Sequence, residues 1–324
     1  MTTYFITGGL GFLGQYIVQA LHEHDPEAEL RVLGRKRRKT YLGVENLPQV
    51  RFIQGDLSDT ASFEAELQGV DVMIHNAAMV SFSRKDAEMV YQANVIGTRN
   101  LAEATLAAGC KNFIFISSIS AVGREKGKIA DESMYPDAAY KERYDMYGYS
   151  KMLNEADLLA LKEQMRLIIL NPSLVLGPGS ERIESAIRAA ERLPVLPMIS
   201  YTNSFVDARD VARAVILALT KGRNGERYIV TAYNADMLEA TRLAVNAAGK
   251  KVPIWQFSRR GLRALDGVVH LLDKLKMNPG IRLPSEMAVD KSYSSEKIRQ
   301  EMGWQPSYSL EEAIYYSVTG EEHE

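Results

Sequence analysis

Short apolar runs alternate with amphipathic stretches through the first half of the chain. Tyr4-Phe5-Ile6, Leu30-Arg31-Val32-Leu33, Val50-Arg51-Phe52-Ile53-Gln54, Val70-Asp71-Val72-Met73-Ile74, Asn112-Phe113-Ile114-Phe115-Ile116 and Leu167-Ile168-Ile169-Leu170 read as successive strands. Between them, Phe12, Leu13, Tyr16, Ile17, Ala20 and Leu21 recur at helical spacing, as do Val90, Ala93, Asn94, Gly97, Leu101 and Ala104. Strands alternating with helices predict an α/β fold: a doubly wound parallel sheet with right-handed crossovers and helices on both faces. Ligands of such sheets bind beyond the carboxyl ends of the strands.

The rhythm breaks near Pro172, where Pro172, Pro178, Pro194 and Pro197 punctuate an irregular stretch. Asn203-Ser204-Phe205-Val206-Asp207 then leads into an apolar helix, Val211 to Leu219, and Tyr228-Ile229-Val230 reads as one more strand. From Ala240 the pattern is helical, broken by Pro253, Pro279 and Pro284. Leu262, Leu265, Val268, Val269, Leu272 and Leu275 form one stripe, expected to pack over a substrate cleft, with a membrane-surface helix as the alternative. Residues 1–171 are therefore expected to bind a dinucleotide and 172–324 mainly a substrate, with about 205–232 returning to the main sheet.

The bulk numbers narrow the class. A chain of 324 residues with 46% hydrophobic and 25% charged residues can bury a full core. A net charge of −2 gives no general attraction to nucleic acid. One cysteine, Cys110, excludes an intrachain disulfide and fits a reducing cytoplasm. No Cys/His cluster has metal-ligand spacing, so no metal is expected. The start shows no signal-peptide pattern, no apolar run is long enough for a membrane span, and the acidic end at Glu321-Glu322-His323-Glu324 reads as a frayed tail.

Chemistry gathers at the strand ends. Thr7-Gly8-Gly9-Leu10-Gly11-Phe12-Leu13-Gly14 lies at a strand-to-helix turn and fits both GxGxxG (Gly9, Gly11, Gly14) and TGxxGxxG (Gly8, Gly11, Gly14). A backbone that bends sharply against a pyrophosphate has no room for a Cβ, and the helix N-terminus offers free N–H groups. In this context the glycines point to a Rossmann-type dinucleotide site. After strand two, Gly34 and Arg35 stand where an acidic residue would bind the ribose hydroxyls of NAD, which favours NADP. Lys36, Arg37 and Arg38 either assist or face water. Asp56, before Leu57, can accept from an adenine amino group, whereas neighbouring acids can cap the next helix. His75 is a general-base candidate or a packing histidine, and no carboxylate or nucleophile adjoins it. Asn94 falls on an apolar helix face and needs a partner, so it is expected to pin neighbouring backbone.

Tyr147 and Lys151, four residues apart, share one helix face. A phenol titrates near about 10, and an adjacent ammonium pulls it down into a useful range. Ser118, after strand five, can donate to a substrate oxygen as charge develops there, with Ser117 and Ser120 competing for the role. No Gly-x-Ser-x-Gly elbow surrounds these serines, which argues against a hydrolase.

The set of Thr7 to Gly14, Asp56-Leu57, Asn76-Ala77-Ala78, Ser118 and Tyr147-x-x-x-Lys151 resembles an extended short-chain dehydrogenase/reductase. The similarity continues through Phe205-Val206-Asp207-Ala208-Arg209-Asp210-Val211 and Gly303-Trp304-Gln305-Pro306. The resemblance implies that Gly8, Gly11 and Gly14 hold a pyrophosphate and Asp56 the adenine. It further implies that Ser118 polarises a carbonyl, Tyr147 is the acid/base and Lys151 orients the ribose. Phe12, Leu13, Arg35, Leu57, Asn76, Ala77, Ala78, Asn94, Ser117 and Pro172 complete the expected cofactor site, and Ser81, Phe82, Ser120 and Asn203 are expected to face substrate. Asn171 to Pro178 is similar to the dihydroflavonol reductase and cinnamoyl-CoA reductase group, and the first half to the 3β-hydroxysteroid dehydrogenases. This implies an NAD(P)-dependent oxidoreductase acting on a bulky, largely apolar alcohol or ketone, and a homodimer through the helices near 87–107 and 147–162. Nucleotide-sugar epimerases and dehydratases, the alternative, usually place an arginine where Thr202-Asn203-Ser204 stands here, although Arg182, Arg188 or Arg282 could substitute.

Overall fold

The computed structural model describes residues 1–81, 83–139, 145–180, 194–257 and 289–323, with short pieces at 183–184, 187–188, 192, 261, 266–269 and 271. The first half runs β1 (Thr3–Thr7), α1 (Phe12–His24), β2 (Glu29–Gly34), β3 (Val50–Gln54), β4 (Val72–His75), α2 (Ala87–Val90), a π-helical stretch Tyr91–Ile96, α3 (Gly97–Ala107), β5 (Asn112–Ile116), α4 (Met146–Leu159) and β6 (Arg166–Pro172). The second half runs β7 (Leu174–Leu176), β8 (Leu196–Met198), β9 (Thr202–Asp207), α5 (Ala208–Lys221), β10 (Glu226–Val230), β11 (Tyr233–Asp236), α6 (Met237–Ala247), β12 (Ile254–Gln256), α7 (Glu296–Met302) and α8 (Leu310–Thr319).

Seven strands form the main sheet in the order β10-β6-β5-β4-β1-β2-β3, and every pairing in it is parallel. Apolar side chains on both faces of its strands explain why these segments read as continuous runs rather than alternating ones. On one face Ile6, Val32, Ile74, Ile114 and Ile168 pack with Ile17 and Leu21 of α1 and Val211 and Val215 of α5. On the other, Phe5, Met73, Phe113, Phe115 and Ile169 pack with Leu101 of α3 and Leu158 of α4. In register, Thr7 pairs with Leu33 and with His75, so the central strands end together. The glycine turn and the ends of β2 and β4 therefore meet at one edge of the sheet.

Residues 205–207 of β9 lie in a separate three-stranded sheet, β11-β9-β7, whereas residues 226–230 extend the main sheet as its edge strand. The Ile229 N–H on that open edge donates to the Glu132 carboxylate at 2.7 Å, which blunts an otherwise unpaired edge. The helical pattern from Ala240 is interrupted after Ala247 and resumes at residues 266–269 and in α7 and α8. Gly249, at φ 64, ends the helix, and β12 follows Pro253 to pair with β8. Of the stripe from 262 to 275, Val269 is buried and Val268 is exposed, and Leu262, Leu265, Leu272 and Leu275 fall outside the described residues. No helix among the described residues is long and apolar enough to cross a membrane.

The C-terminal elements are clamped to α5. Asp207 caps that helix by accepting from Arg209 N at 2.8 Å, and the Arg209 guanidinium lies 3.4 Å from the Tyr308 ring centre and 4.0 Å from that of Tyr316. Trp304 is fully buried and donates through Nε1 to the Asp210 carbonyl at 2.9 Å. Trp304→Ala is expected to lower unfolding free energy by about 3–5 kcal/mol in urea titration, chiefly through the cavity, with the lost indole hydrogen bond adding to it. A loss under about 1 kcal/mol would contradict this clamp.

Candidate active site

The turn from β1 into α1 exists only because it lacks side chains. A Cβ on Gly14 would stand 2.0 Å from the Gly8 carbonyl oxygen, and one on Gly8, at φ 67, 2.9 Å from the Ala77 backbone. Gly11 N donates to Gly8 O at 2.9 Å, and no side chain caps α1. The open helix end beside a cradle of bare backbone fits an anionic pyrophosphate, with Phe12 and Leu13 supplying first-turn N–H groups. Of the two glycine readings, the Gly8 register faces Ala77, while Gly9 abuts Val32 in the core.

The β4 end is tied to this loop. Asn76 Nδ2 donates to Gly8 O at 3.3 Å, and Ala77 N donates to Thr7 Oγ1 at 3.1 Å. His75 is no base. Its Nδ1 lies 2.7 Å from Thr7 Oγ1 and its Nε2 2.8 Å from Thr98 Oγ1, and burial, assisted by the Lys151 charge, drops its pKa to about 3. Asn94 sits in the π-helical stretch and pins Met79 from both sides, accepting from its N–H at 2.7 Å and donating to its carbonyl at 3.0 Å. Its amide also reaches Ser150 Oγ of α4 at 3.0 Å.

Asp145 starts α4 by accepting from Gly148 N at 3.0 Å, which sets the phase that turns Tyr147 and Lys151 toward the β5 end. Lys151 is 2% exposed, donates to the Ile116 carbonyl at 2.7 Å and lies 4.6 Å from the Phe115 ring centre. Burial lowers its ammonium to about 7, and the Glu155 charge resists that fall. Burial raises the Tyr147 phenol to about 12, and a hydrogen bond with the Ser118 side chain works the other way. Ser118 and Tyr147 thus form a hydroxyl pair, and Lys151 reaches the same strand end through the Ile116 carbonyl; burial moves the phenol up, opposite to the lowering expected from the spacing alone. Ser118 Oγ also accepts from Ser120 N at 3.1 Å. Ser117, the competing serine, is buried and donates to Glu155 rather than into the cleft.

At the far end of the cradle, Arg38, not singled out from its basic run by sequence, donates from Nε to the Leu10 carbonyl at 3.0 Å. Arg35 is exposed and helps hold Asp56 ionised, after the Ser58 N–H and hydroxyl that the same carboxylate accepts at 2.9 Å. Leu57 packs on Gly97, Ala78 is exposed beyond β4, and Pro172 is buried at the end of β6. Ser81 donates to Asp86 at 2.6 Å, and Asn203 accepts from Ser204 N at 3.0 Å, so both are engaged locally. Phe82, Arg182 and Arg282 lie outside the described residues, and Arg188 pairs with Glu184 at 3.3 Å. Glu155, Asn171 and Arg227 were missed. The signal for Glu155 was its helical spacing, one turn beyond Lys151. Among the described residues, no group of three or more His, Cys, Asp or Glu is placed to hold a metal ion.

The pattern of the NAD dependent epimerase/dehydratase family matches residues 4–234. A Synechocystis sp. protein with a provisional dihydroflavonol 4-reductase name is 30% identical over 266 residues, 78% of this chain and 76% of its own length. The UDP-glucose 4-epimerase of Vibrio cholerae is 28% identical over 326 residues, 95% of this chain and 92% of its own. Among solved structures, that of gox2253 superposes with a TM-score of 0.85 at 27% identity, covering 98% of this chain and 97% of the other.

The buried histidine yields a pH test. Its folded pKa of about 3 lies below the unfolded value of about 6.5. The unfolded chain therefore binds a proton that the folded one refuses. The stability His75 contributes is complete above about pH 6.5 and declines toward about pH 3, at up to about 1.4 kcal/mol per pH unit. Denaturant titrations at several pH values should show a shallower acid slope for His75→Gln, and an unchanged slope would contradict a neutral, buried His75.

Proposed function

Because the chain belongs to the NAD dependent epimerase/dehydratase family, we propose that it is an NADP-preferring oxidoreductase for a secondary alcohol or ketone on a bulky, largely apolar molecule. The enzyme class is that of the extended short-chain dehydrogenases and reductases. One observation carries the assignment of roles: Ser118, Tyr147 and Lys151 are gathered at the carboxyl edge of the sheet, beside a glycine cradle that fits a dinucleotide. In this reading Gly8, Gly11, Gly14, Phe12 and Leu13 hold the pyrophosphate, Asp56 and Leu57 the adenine, and Asn76, Ala77, Ala78, Asn94, Pro172 and Lys151 frame the nicotinamide half, with Ser117 contributing backbone alone because its hydroxyl is given to Glu155. A bound nicotinamide supplies or accepts the hydride. Ser118 donates a hydrogen bond to the substrate oxygen, and Tyr147 gives that oxygen its proton in the reducing direction. The Lys151 charge favours the phenolate left behind.

Two cations at the adenosine end support NADP. Arg38 folds back on Leu10, and the Arg35 charge acts on Asp56, so a 2′-phosphate there would meet positive charge rather than a carboxylate alone. The preference for an apolar substrate over a nucleotide sugar rests on β9. Ser204 is fully buried and donates to Asn234, and Asn203, itself uncharged, accepts from Ser204 N through Oδ1, so this segment offers a diphosphate no cation and no serine hydroxyl. The second reading is a nucleotide-sugar 4-epimerase or dehydratase with tightly held NAD, and the resemblance to the Vibrio cholerae UDP-glucose 4-epimerase favours it. In either reading residues 1–171 serve the cofactor and 172–324 mainly the substrate. A homodimer through the faces of α3 and α4, already bridged within one chain by Arg99 and Asp157 at 2.8 Å, belongs to the same proposal.

Thermal unfolding with NADPH, NADH, UDP and UDP-glucose in parallel tests this reading, since a ligand that binds only the folded state raises Tm. The expected pattern is a larger rise with NADPH than with NADH and none with the uridine nucleotides. A clear rise with UDP-glucose would transfer the assignment to the sugar-nucleotide class. In Arg35→Asp, the NADPH-over-NADH preference in affinity should fall at least about tenfold, roughly 1.4 kcal/mol. Undiminished preference would remove Arg35 from cofactor selection.

A further inference from the structure

Behind Ser118, Tyr147 and Lys151 lies a second set of buried charges that the proposed reaction does not touch. Glu155 is 3% exposed and Arg227 is 5% exposed. Glu155 stands one turn beyond Lys151 and two beyond Tyr147, on the same face of α4. Arg227 comes from the edge strand β10, with Nε 3.4 Å from Glu155 Oε2 and its guanidinium 4.8 Å from the Tyr135 ring centre. The other carboxylate oxygen, Oε1, accepts from Ser117 Oγ and, at 2.6 Å, from Asn171 Nδ2. Asn171 Nδ2 also donates to the Ser118 carbonyl at 3.0 Å. Three successive residues at the β5 end are thus each held by a different side chain: Ile116 by Lys151, Ser117 by Glu155 and Ser118 by Asn171.

Stability alone gives little reason for such a pair, because an apolar pair of similar shape usually serves a fold as well. Its position gives a better one. Signs alternate along the row, from Arg227 through Glu155 and Lys151 to the phenolate that Tyr147 would form. We propose that Glu155, backed by Arg227, is a positioning residue of the reaction, seating Ser118 through Ser117 and Asn171 and supplying the counter-charge that keeps Lys151 an ammonium. This inference rests on Tyr147 and Lys151 being the proton-transfer pair. The groups around Lys151 are Glu155 from α4, the neutral His75 from β4, and the Phe115 ring and Ile116 carbonyl from β5, with Tyr147 one turn before it on the same helix. Around Glu155 they are Lys151, Arg227, Ser117 and Asn171. Burial pushes the Glu155 carboxyl up, and Arg227 is the strongest influence holding it ionised.

Glu155→Gln retains an acceptor for Ser117 and Asn171 and removes the charge. The Lys151 titration can be followed through its 13Cε NMR signal in lysine-labelled protein, assigned with Lys151→Arg. The expected result is a fall in the Lys151 midpoint of about one pH unit or more, restored toward wild type in Glu155→Asp. If Glu155→Gln does not fold with Arg227 left unpaired, the double variant Glu155→Gln/Arg227→Gln removes both charges together and is expected to show a smaller fall in the same direction, because loss of the more distant Arg227 cation partly offsets loss of the carboxylate. An unchanged midpoint in whichever variant folds overturns the proposal. So does failure of both to fold, which would make the pair a requirement of folding. The titration needs no turnover. A lowered midpoint in a protein that reduces no carbonyl compound would therefore count against the oxidoreductase reading and leave the coupling standing.

Discussion

The ammonium of Lys151, held out of water beneath the carboxyl edge of the sheet, is the constraint around which the rest is arranged. A buried cation is costly unless its surroundings answer it. Here the Ile116 carbonyl accepts its proton at 2.7 Å, the Phe115 ring lies under it, and Glu155 faces it from the next helical turn. Those partners come from β5 and α4, so strand and helix must meet in one phase. Asp145 sets where the helix begins, and Asn94 ties it through Ser150 to the helix before it. His75, close enough to feel the same charge, stays neutral between two threonines.

The glycine cradle and the strand ends beside Ser118, Tyr147 and Lys151 are likewise one construction. The β4 end touches Gly8 through Asn76 and Ala77, and His75 on the same strand connects Thr7 to Thr98 of α3. A displacement at the glycine turn therefore reaches the helix beside Lys151 through contiguous hydrogen bonds. In the proposed reading the chemistry lies at this shared edge, and the choice between an apolar substrate and a sugar nucleotide falls to the residues beyond it. In this chain the Ser204 hydroxyl is spent on Asn234 and the Lys291 carbonyl, and the Asn203 side-chain oxygen on Ser204 N.

Much of this was legible in the sequence because the responsible physics is local. The central strands are buried on both faces and so stand out as apolar runs, and the glycine turn and the Tyr147–Lys151 spacing are short-range signals. Asn94 could be recognised as a polar residue on an apolar face, and it does pin backbone. The strands β7, β8, β11 and β12 have only three or four residues each, too few for a period to register. Arg38 was indistinguishable from its neighbours in a run of five cations, since only the fold of the loop turns one of them back onto Leu10. Glu155 looked like an ordinary helical glutamate because its partner Arg227 arrives from β10, 72 residues on by their numbers. Pairings across such distances are set by topology, not by local pattern.

The central claim is that Tyr147 and Lys151 serve hydride transfer to a carbonyl carbon. Its most direct test is incubation of the purified protein with NADPH carrying deuterium at one or the other C4 position and a panel of apolar ketones and aldehydes. Mass spectrometry of the product and a Tyr147→Phe control complete the experiment. The account predicts deuterium on the carbinol carbon from one labelled diastereomer and not the other, with transfer lost in Tyr147→Phe. No labelled alcohol from any carbonyl compound, together with interconversion of UDP-glucose and UDP-galactose without net cofactor consumption, would contradict it.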